Sequence, residues 1–164
     1  MPTEDLYDLG RRCAQGDGDA QSYEMAVVYF KQAADLGHMK AQYNLGICLH
    51  EGLGVQKSHE EAFDYFKRAA DQGHPRAHYM VGCYYAFGLL SDRNMELGVH
   101  HFQWAADAGI ADAQYNLGIC YQQGLGVVTS ESLAIQYLEQ AVKNGHSQAA
   151  EALSKILHAS HSPK

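Results

Sequence analysis

A 36-residue period runs through this chain without an insertion or a deletion. Residues 41–76, 77–112 and 113–148 align position by position, a weaker copy at 5–40 precedes them in the same register, and a partial copy at 149–160 follows. A fixed period of this length excludes most globular folds. Each copy must be one supersecondary unit that buries its apolar face only by packing on its neighbours. The 164 residues therefore read as a single repeat domain over 1–164, with four copies and a terminal capping segment at 149–160.

The glycines say what each copy is. The chain has 16 glycines against three prolines, and twelve of the glycines fall into three columns: Gly10, Gly46, Gly82 and Gly118; Gly16, Gly52, Gly88 and Gly124; Gly37, Gly73, Gly109 and Gly145. Between them, Ala41, Leu45, Cys48 and Leu49 recur at i, i+4, i+7 and i+8, the stripe of an amphipathic helix running from Ala41 to about Glu51. Gly52-Leu53-Gly54 ends that helix. A second helix follows Ser58. Its counterparts Ser22, Asn94 and Ser130 are all N-cap residue types, and Ser58 with Glu61 has the spacing of a capping box. This helix carries Ala62, Tyr65, Phe66, Ala69 and Ala70 inward and stops at Gly73. Gly46 lies inside the first helix, where glycine costs about 1 kcal/mol relative to alanine. Its recurrence predicts a neighbouring helix too close for a side chain. The fold class is all-α, built of helix pairs.

The pattern A-x-x-x-L-G-x-x-Y-x-x-G-x-G-V, followed by A-x-x-Y-x-x-A-A-x-x-G, resembles the Sel1-like repeat, a relative of the tetratricopeptide repeat. It is carried by Ala113, Leu117, Gly118, Tyr121, Gly124, Gly126, Val127, Ala134, Tyr137, Ala141 and Gly145, and again by Ala41, Leu45, Gly46, Gly52, Gly54, Val55, Ala62, Tyr65, Ala69, Ala70 and Gly73. The resemblance implies a right-handed α-solenoid of antiparallel helix pairs that serves as a protein-binding scaffold. Two copies depart from it. The first has a charge at Asp17 and Asp19, and the third has Leu90 and Gly98 in place of a turn glycine and a helix alanine. Leu90 cannot take positive φ as cheaply as Gly54, so a different loop is expected there.

Charge and motifs narrow the function. The net charge of −7 disfavours nucleic acid and anionic membranes. No apolar run approaches the roughly 20 residues that cross a bilayer, and MPTEDLYDLG has no signal-peptide pattern. A cytoplasmic location is expected, for this chain or for a longer protein containing it. Cys13, Cys48, Cys83 and Cys120 stand one per copy without CxxC spacing, on or near the apolar stripe, and read as reduced, buried thiols. His38, His74 and His146 recur directly after a helix-ending glycine, a structural column too widely spaced to share an ion. His100-His101 point apart, and His74/His78 straddle a loop. No metal and no cofactor are expected. There is no G-x-S-x-G, P-loop or HExxH, and no S-x-x-K such as β-lactam-hydrolysing relatives would need, so no enzyme is expected.

The candidate contact residues are outward positions the repeat does not dictate. By the resemblance, the first helix of each copy lines the concave face. Asn44 and Asn116 can donate and accept there toward a peptide backbone. In the third copy Met80 stands where the others have Asn, Tyr84 replaces Cys48 and Cys120, and Phe87 replaces Glu51 and Gln123. These three sit at i, i+4 and i+7, and Trp104 replaces Gln32, Arg68 and Gln140 on the second helix. Such a cluster reads either as a hydrophobic anchor or as local repacking. The expected function is a scaffold holding a peptide segment or a partner helix at Asn44, Met80, Tyr84, Phe87, Asn116 and Gln123. The alternatives are a regulatory or weakly catalytic repeat protein with a small-molecule pocket, or a structural spacer.

Overall fold

The computed structural model describes residues 2–16, 22–90 and 92–160. Among these the chain forms nine α-helices and no strand: α1 (Thr3–Gln15), α2 (Tyr23–Asp35), α3 (Met39–Glu51), α4 (His59–Asp71), α5 (Pro75–Phe87), α6 (Met95–Asp107), α7 (Ala111–Gln123), α8 (Glu131–Lys143) and α9 (Ala149–Ser160). They fall into two compact units, Met1–Met80 and Val81–Lys164, divided inside α5. In the first unit α1 packs on α2, α2 on α3 and α3 on α4; in the second α6 packs on α7, α7 on α8 and α8 on α9. None of the described helices is long and apolar enough to cross a membrane.

The second helix of every copy begins as its sequence dictates. Ser22, Ser58, Asn94 and Ser130 accept from Met25 N, Glu61 N, Leu97 N and Leu133 N at 3.3, 3.3, 3.0 and 3.3 Å. The reciprocal half of the capping box is not made. Ser58 N–H instead donates to Leu49 O at 2.9 Å, tying the loop back onto α3. The same tie recurs from Ser22 N to Cys13 O, Asn94 N to Tyr85 O and Ser130 N to Tyr121 O. The first helices start earlier than their apolar stripe suggests: α3 begins at Met39, because the side chain of His38 caps it.

Interhelical closeness explains the first glycine column. A Cβ on Gly46 would lie 2.7 Å from Phe66 Cδ1, and the Phe66 ring is fully buried. The same contact is made by Gly10 with Phe30, Gly82 with Phe102 and Gly118 with Leu138. Gly54 is held for another reason. At φ +66° its α-carbon rests on the Tyr23–Glu24 peptide at the start of α2, a place where any side chain would overlap backbone. The apolar stripes are buried as patterned: Ala41, Leu45, Cys48 and Leu49 on α3, and Ala62, Phe66, Ala69 and Ala70 on α4.

The third copy keeps the frame of its loop. Leu89 N–H bonds Tyr84 O at 3.1 Å as Leu53 N–H bonds Cys48 O at 2.9 Å, while every positive φ among the described residues belongs to glycine, so Leu90 does not adopt the turn of Gly54. Gly98 is not a defect in α6. A Cβ there would meet Ala86 Cβ at 2.9 Å, so its absence lets α6 close on α5. The departure at Asp17–Asp19 lies outside the described residues.

Candidate functional site

Within each unit the sequence candidates separate by depth. In the first unit Asn44 of α3 and Met80 of α5 are half-buried. In the second, Asn116 is half-buried, Gln123 is exposed and Phe87 is 65% exposed, whereas Tyr84 is only 3% exposed. Tyr84 is therefore corrected from a contact residue to a core residue. It occupies the position of buried Cys48 and Cys120, so its ring fills the interior rather than a partner. The i, i+4, i+7 spacing of Met80, Tyr84 and Phe87 does not make one presented face. Trp104 is 57% exposed on α6, and Leu89 and Leu90 are exposed beside Phe87.

One sequence candidate lines a cleft. Gln123 borders an open space of about 400 Å³ between α7 and α9, with Tyr115, Ile119 and Gln122 on one wall and Gln148, Glu151, Ala152 and Lys155 on the other. A second cleft of about 420 Å³ shares Gln122 and Lys155 and reaches Tyr121, Thr129, Glu131 and Ile156. Its floor belongs to the core in which Ala134, Leu138, Ala141 and Ala149 close α9 onto α8. Glu151 and Lys155 pair at 2.7 Å, which holds the carboxyl below its ordinary range and the ammonium above its own. The second wall is missed by sequence reasoning because α9 reads only as a cap. The signal was present in its alignment with the first helix of every other copy.

Two further polar constellations go unnoticed in the sequence. Gln42 and Gln114, 2% and 3% exposed, are buried polar residues. Gln42 Nε2 donates to Ala34 O at 3.3 Å and Gln114 Nε2 to Ala106 O at 3.1 Å, each tying a first helix to the end of the preceding second helix. Gln103 Nε2 donates to the Tyr137 hydroxyl at 2.7 Å, and the Tyr137 ring stacks on Tyr121 at 5.7 Å.

The histidine column has a structural task. The Nδ1 atoms of His38 and His74 accept from Ala41 N and Ala77 N at 3.1 and 3.2 Å, capping α3 and α5, and His146 Nδ1 accepts from Gln148 N at 3.3 Å. Each ring stacks on a tyrosine of the preceding first helix: His38 on Tyr7 at 4.7 Å, His74 on Tyr43 at 4.5 Å and His146 on Tyr115 at 4.1 Å. No group of three or more metal-ligating side chains converges among the described residues. No cysteine forms a disulfide among the described residues. Cys48 and Cys120 are buried, which pushes their thiols up to about 11, while Cys13 and Cys83 are half-buried.

The hairpins so described have close relatives. The Sel1 repeat model matches residues 3–38, 40–74, 75–110 and 111–146, each starting one or two residues ahead of the register read from the apolar stripe. A Sel1 repeat protein from Oxalobacter formigenes superimposes with a TM-score of 0.89 at 28% identity, over 98% of this chain and 65% of its own. A protective antigen of uropathogenic Escherichia coli with an SLR fold matches at TM-score 0.63 and 26% identity, over 96% of this chain and 42% of its own. This chain thus spans less than two thirds of the length of either protein. Cysteine-rich protein B of Helicobacter pylori, at 20% identity and TM-score 0.62 over 93% of this chain and 98% of its own, shares the fold. No curated protein matches the sequence. Four consecutive repeat matches, on hairpins whose glycine contacts, caps and loop ties recur copy by copy, make the chain a member of the Sel1 repeat family.

Proposed function

We propose that this chain is a non-catalytic protein-interaction module that holds an extended segment or a helix of a partner against its first helices. The observation that carries this reading is the cleft between α7 and α9. Its walls combine the amides of Gln122, Gln123 and Gln148 with the apolar surfaces of Tyr115, Ile119 and Ala152. Side-chain amides donate and accept together, as a peptide backbone does, and the apolar surface between them suits the side chains of such a segment. Asn116 and exposed Phe87, an aromatic anchor, are further contact positions of the same unit; in the other unit, taken by itself, the contact positions are Asn44 and Met80. Catalysis is not part of the reading, since Glu151 and Lys155, the opposite charges of the cleft, neutralise each other. A reducing, cytoplasmic setting fits four cysteines that form no disulfide among the described residues.

Peptides selected against the wild-type chain from a displayed random library test this. Binding should drop at least tenfold in a Gln122→Ala/Gln123→Ala double variant with an unchanged melting temperature. Selection that yields no peptide, or peptides bound equally by the variant, overturns the reading.

A further inference from the structure

The three histidines of this column differ in the charge placed beside them. His38 Nε2 lies 3.0 Å from Glu4 Oε2, and His146 Nε2 lies 3.6 Å from Asp112 Oδ1. Both carboxylates occupy the same repeat position on the preceding first helix. Two copies lie between them, with Lys40 and Arg76 at that position; Lys40 is the one on the helix preceding His74, so His74 has a cation where His38 and His146 have an anion. The charged and titratable groups acting on His74 are Lys40 and Tyr43 from α3 and Arg76 and His78 from α5. None of these is a carboxylate.

We propose that His74 is an acid-sensitive latch whose protonation releases the first turn of α5. The Nδ1 lone pair that receives Ala77 N–H at 3.2 Å is the atom that takes up the proton, so an imidazolium cannot hold the cap. At His38 and His146 the neighbouring charge is a carboxylate, at 3.0 and 3.6 Å from Nε2. At His74 the new charge meets Lys40 and Arg76 instead. Pro75 follows directly and donates no N–H, so the start of α5 depends on the Ala77 and His78 amides, which His74 O receives at 3.1 Å each. Burial first, and the cations second, hold His74 below the ordinary imidazole range. The folded turn therefore binds its proton later than the opened turn. Its stability is complete above about pH 6.5, where the opened imidazole is neutral, and falls as the pH drops toward the folded value. The helix affected is the one that carries Met80 and Phe87, although the latch does not depend on their binding a partner.

Amide hydrogen exchange of the full chain, expressed as protection factors between pH 7.5 and 5, tests the latch. Protection at Ala77 and His78 should fall by up to about tenfold per pH unit below about 6.5, and protection at Ala41 and Gln42, which start α3, should fall less. His74→Asn keeps a capping oxygen that does not titrate and should flatten the profile at Ala77. Lys40→Glu supplies the carboxylate that the first and fourth copies carry at this position and should weaken the acid loss. A wild-type profile without acid loss, or one unchanged in either variant, overturns the proposal.

Discussion

Gln72 Nε2 donates to Gln42 Oε1 at 2.7 Å, and the same contact recurs in the other unit from Asn144 Nδ2 to Gln114 Oε1 at 2.8 Å. Each buried glutamine thus joins three helices, since its own Nε2 reaches back to Ala34 O or Ala106 O. Replacing it with leucine keeps the bulk and removes the bonds. Ala34 O still receives Arg68 Nη2 at 3.0 Å, a guanidinium whose place in the fourth copy is taken by Gln140. Gln42→Leu should therefore lower stability by about 1 kcal/mol and Gln114→Leu by about 2 kcal/mol, as read from urea denaturation.

Gly46→Ala sets helix propensity against packing. Alanine gains about 1 kcal/mol in an unconstrained helix, but its Cβ would press on the buried Phe66 ring, and overpacking of this kind costs about 1–3 kcal/mol. The variant should be less stable than wild type by about 1 kcal/mol or more. Equal or higher stability in urea would show that the ring can yield.

Phe87 and Tyr84 should behave in opposite ways. Phe87→Ala removes an exposed ring and should weaken binding of a selected peptide that engages α5, with little change in melting temperature. Tyr84→Ala empties a buried site and should cost about 3 kcal/mol of stability.

Native-state alkylation at pH 7.5, followed by mass spectrometry, should separate the thiols. With pKa values near 11, Cys48 and Cys120 hold about a hundredfold less thiolate than an ordinary cysteine and are shielded as well. Cys13 and Cys83 should be labelled first.

His50 adds a second acid-labile point. Its pKa is lowered chiefly by burial, with His59 (4.9 Å ring to ring) and Lys57 adding to the effect and Glu51 opposing it. The unfolded chain therefore takes up this proton before the folded chain does, and stability should decline as pH falls below about 6.5. His50→Gln, the residue of the fourth copy at Gln122, should have a urea midpoint that changes less between pH 7 and pH 5 than that of wild type.

The sequence by itself determined the unit and its period. Glycine columns, N-cap residues and the Ala41/Leu45/Cys48/Leu49 stripe are local signals: each acts within one helix or one turn, so each can be read from spacing alone. Even the contact between Gly46 and its neighbouring helix was legible, because a helix-interior glycine repeated four times has no local reason to be there. Tertiary structure alone decided which side chains are left for a partner. Spacing put Tyr84 on one stripe with Met80 and Phe87, but a tyrosine in place of a buried cysteine turns inward when its neighbours leave room, and only the packed helices show that room. The partners of Gln42 lie eight residues before it and thirty after it, and the histidine caps gain their meaning from a tyrosine 31 residues upstream. The charge beside each cap is likewise set by a residue one repeat away. Such pairings bring together residues distant in sequence, and no local pattern announces them.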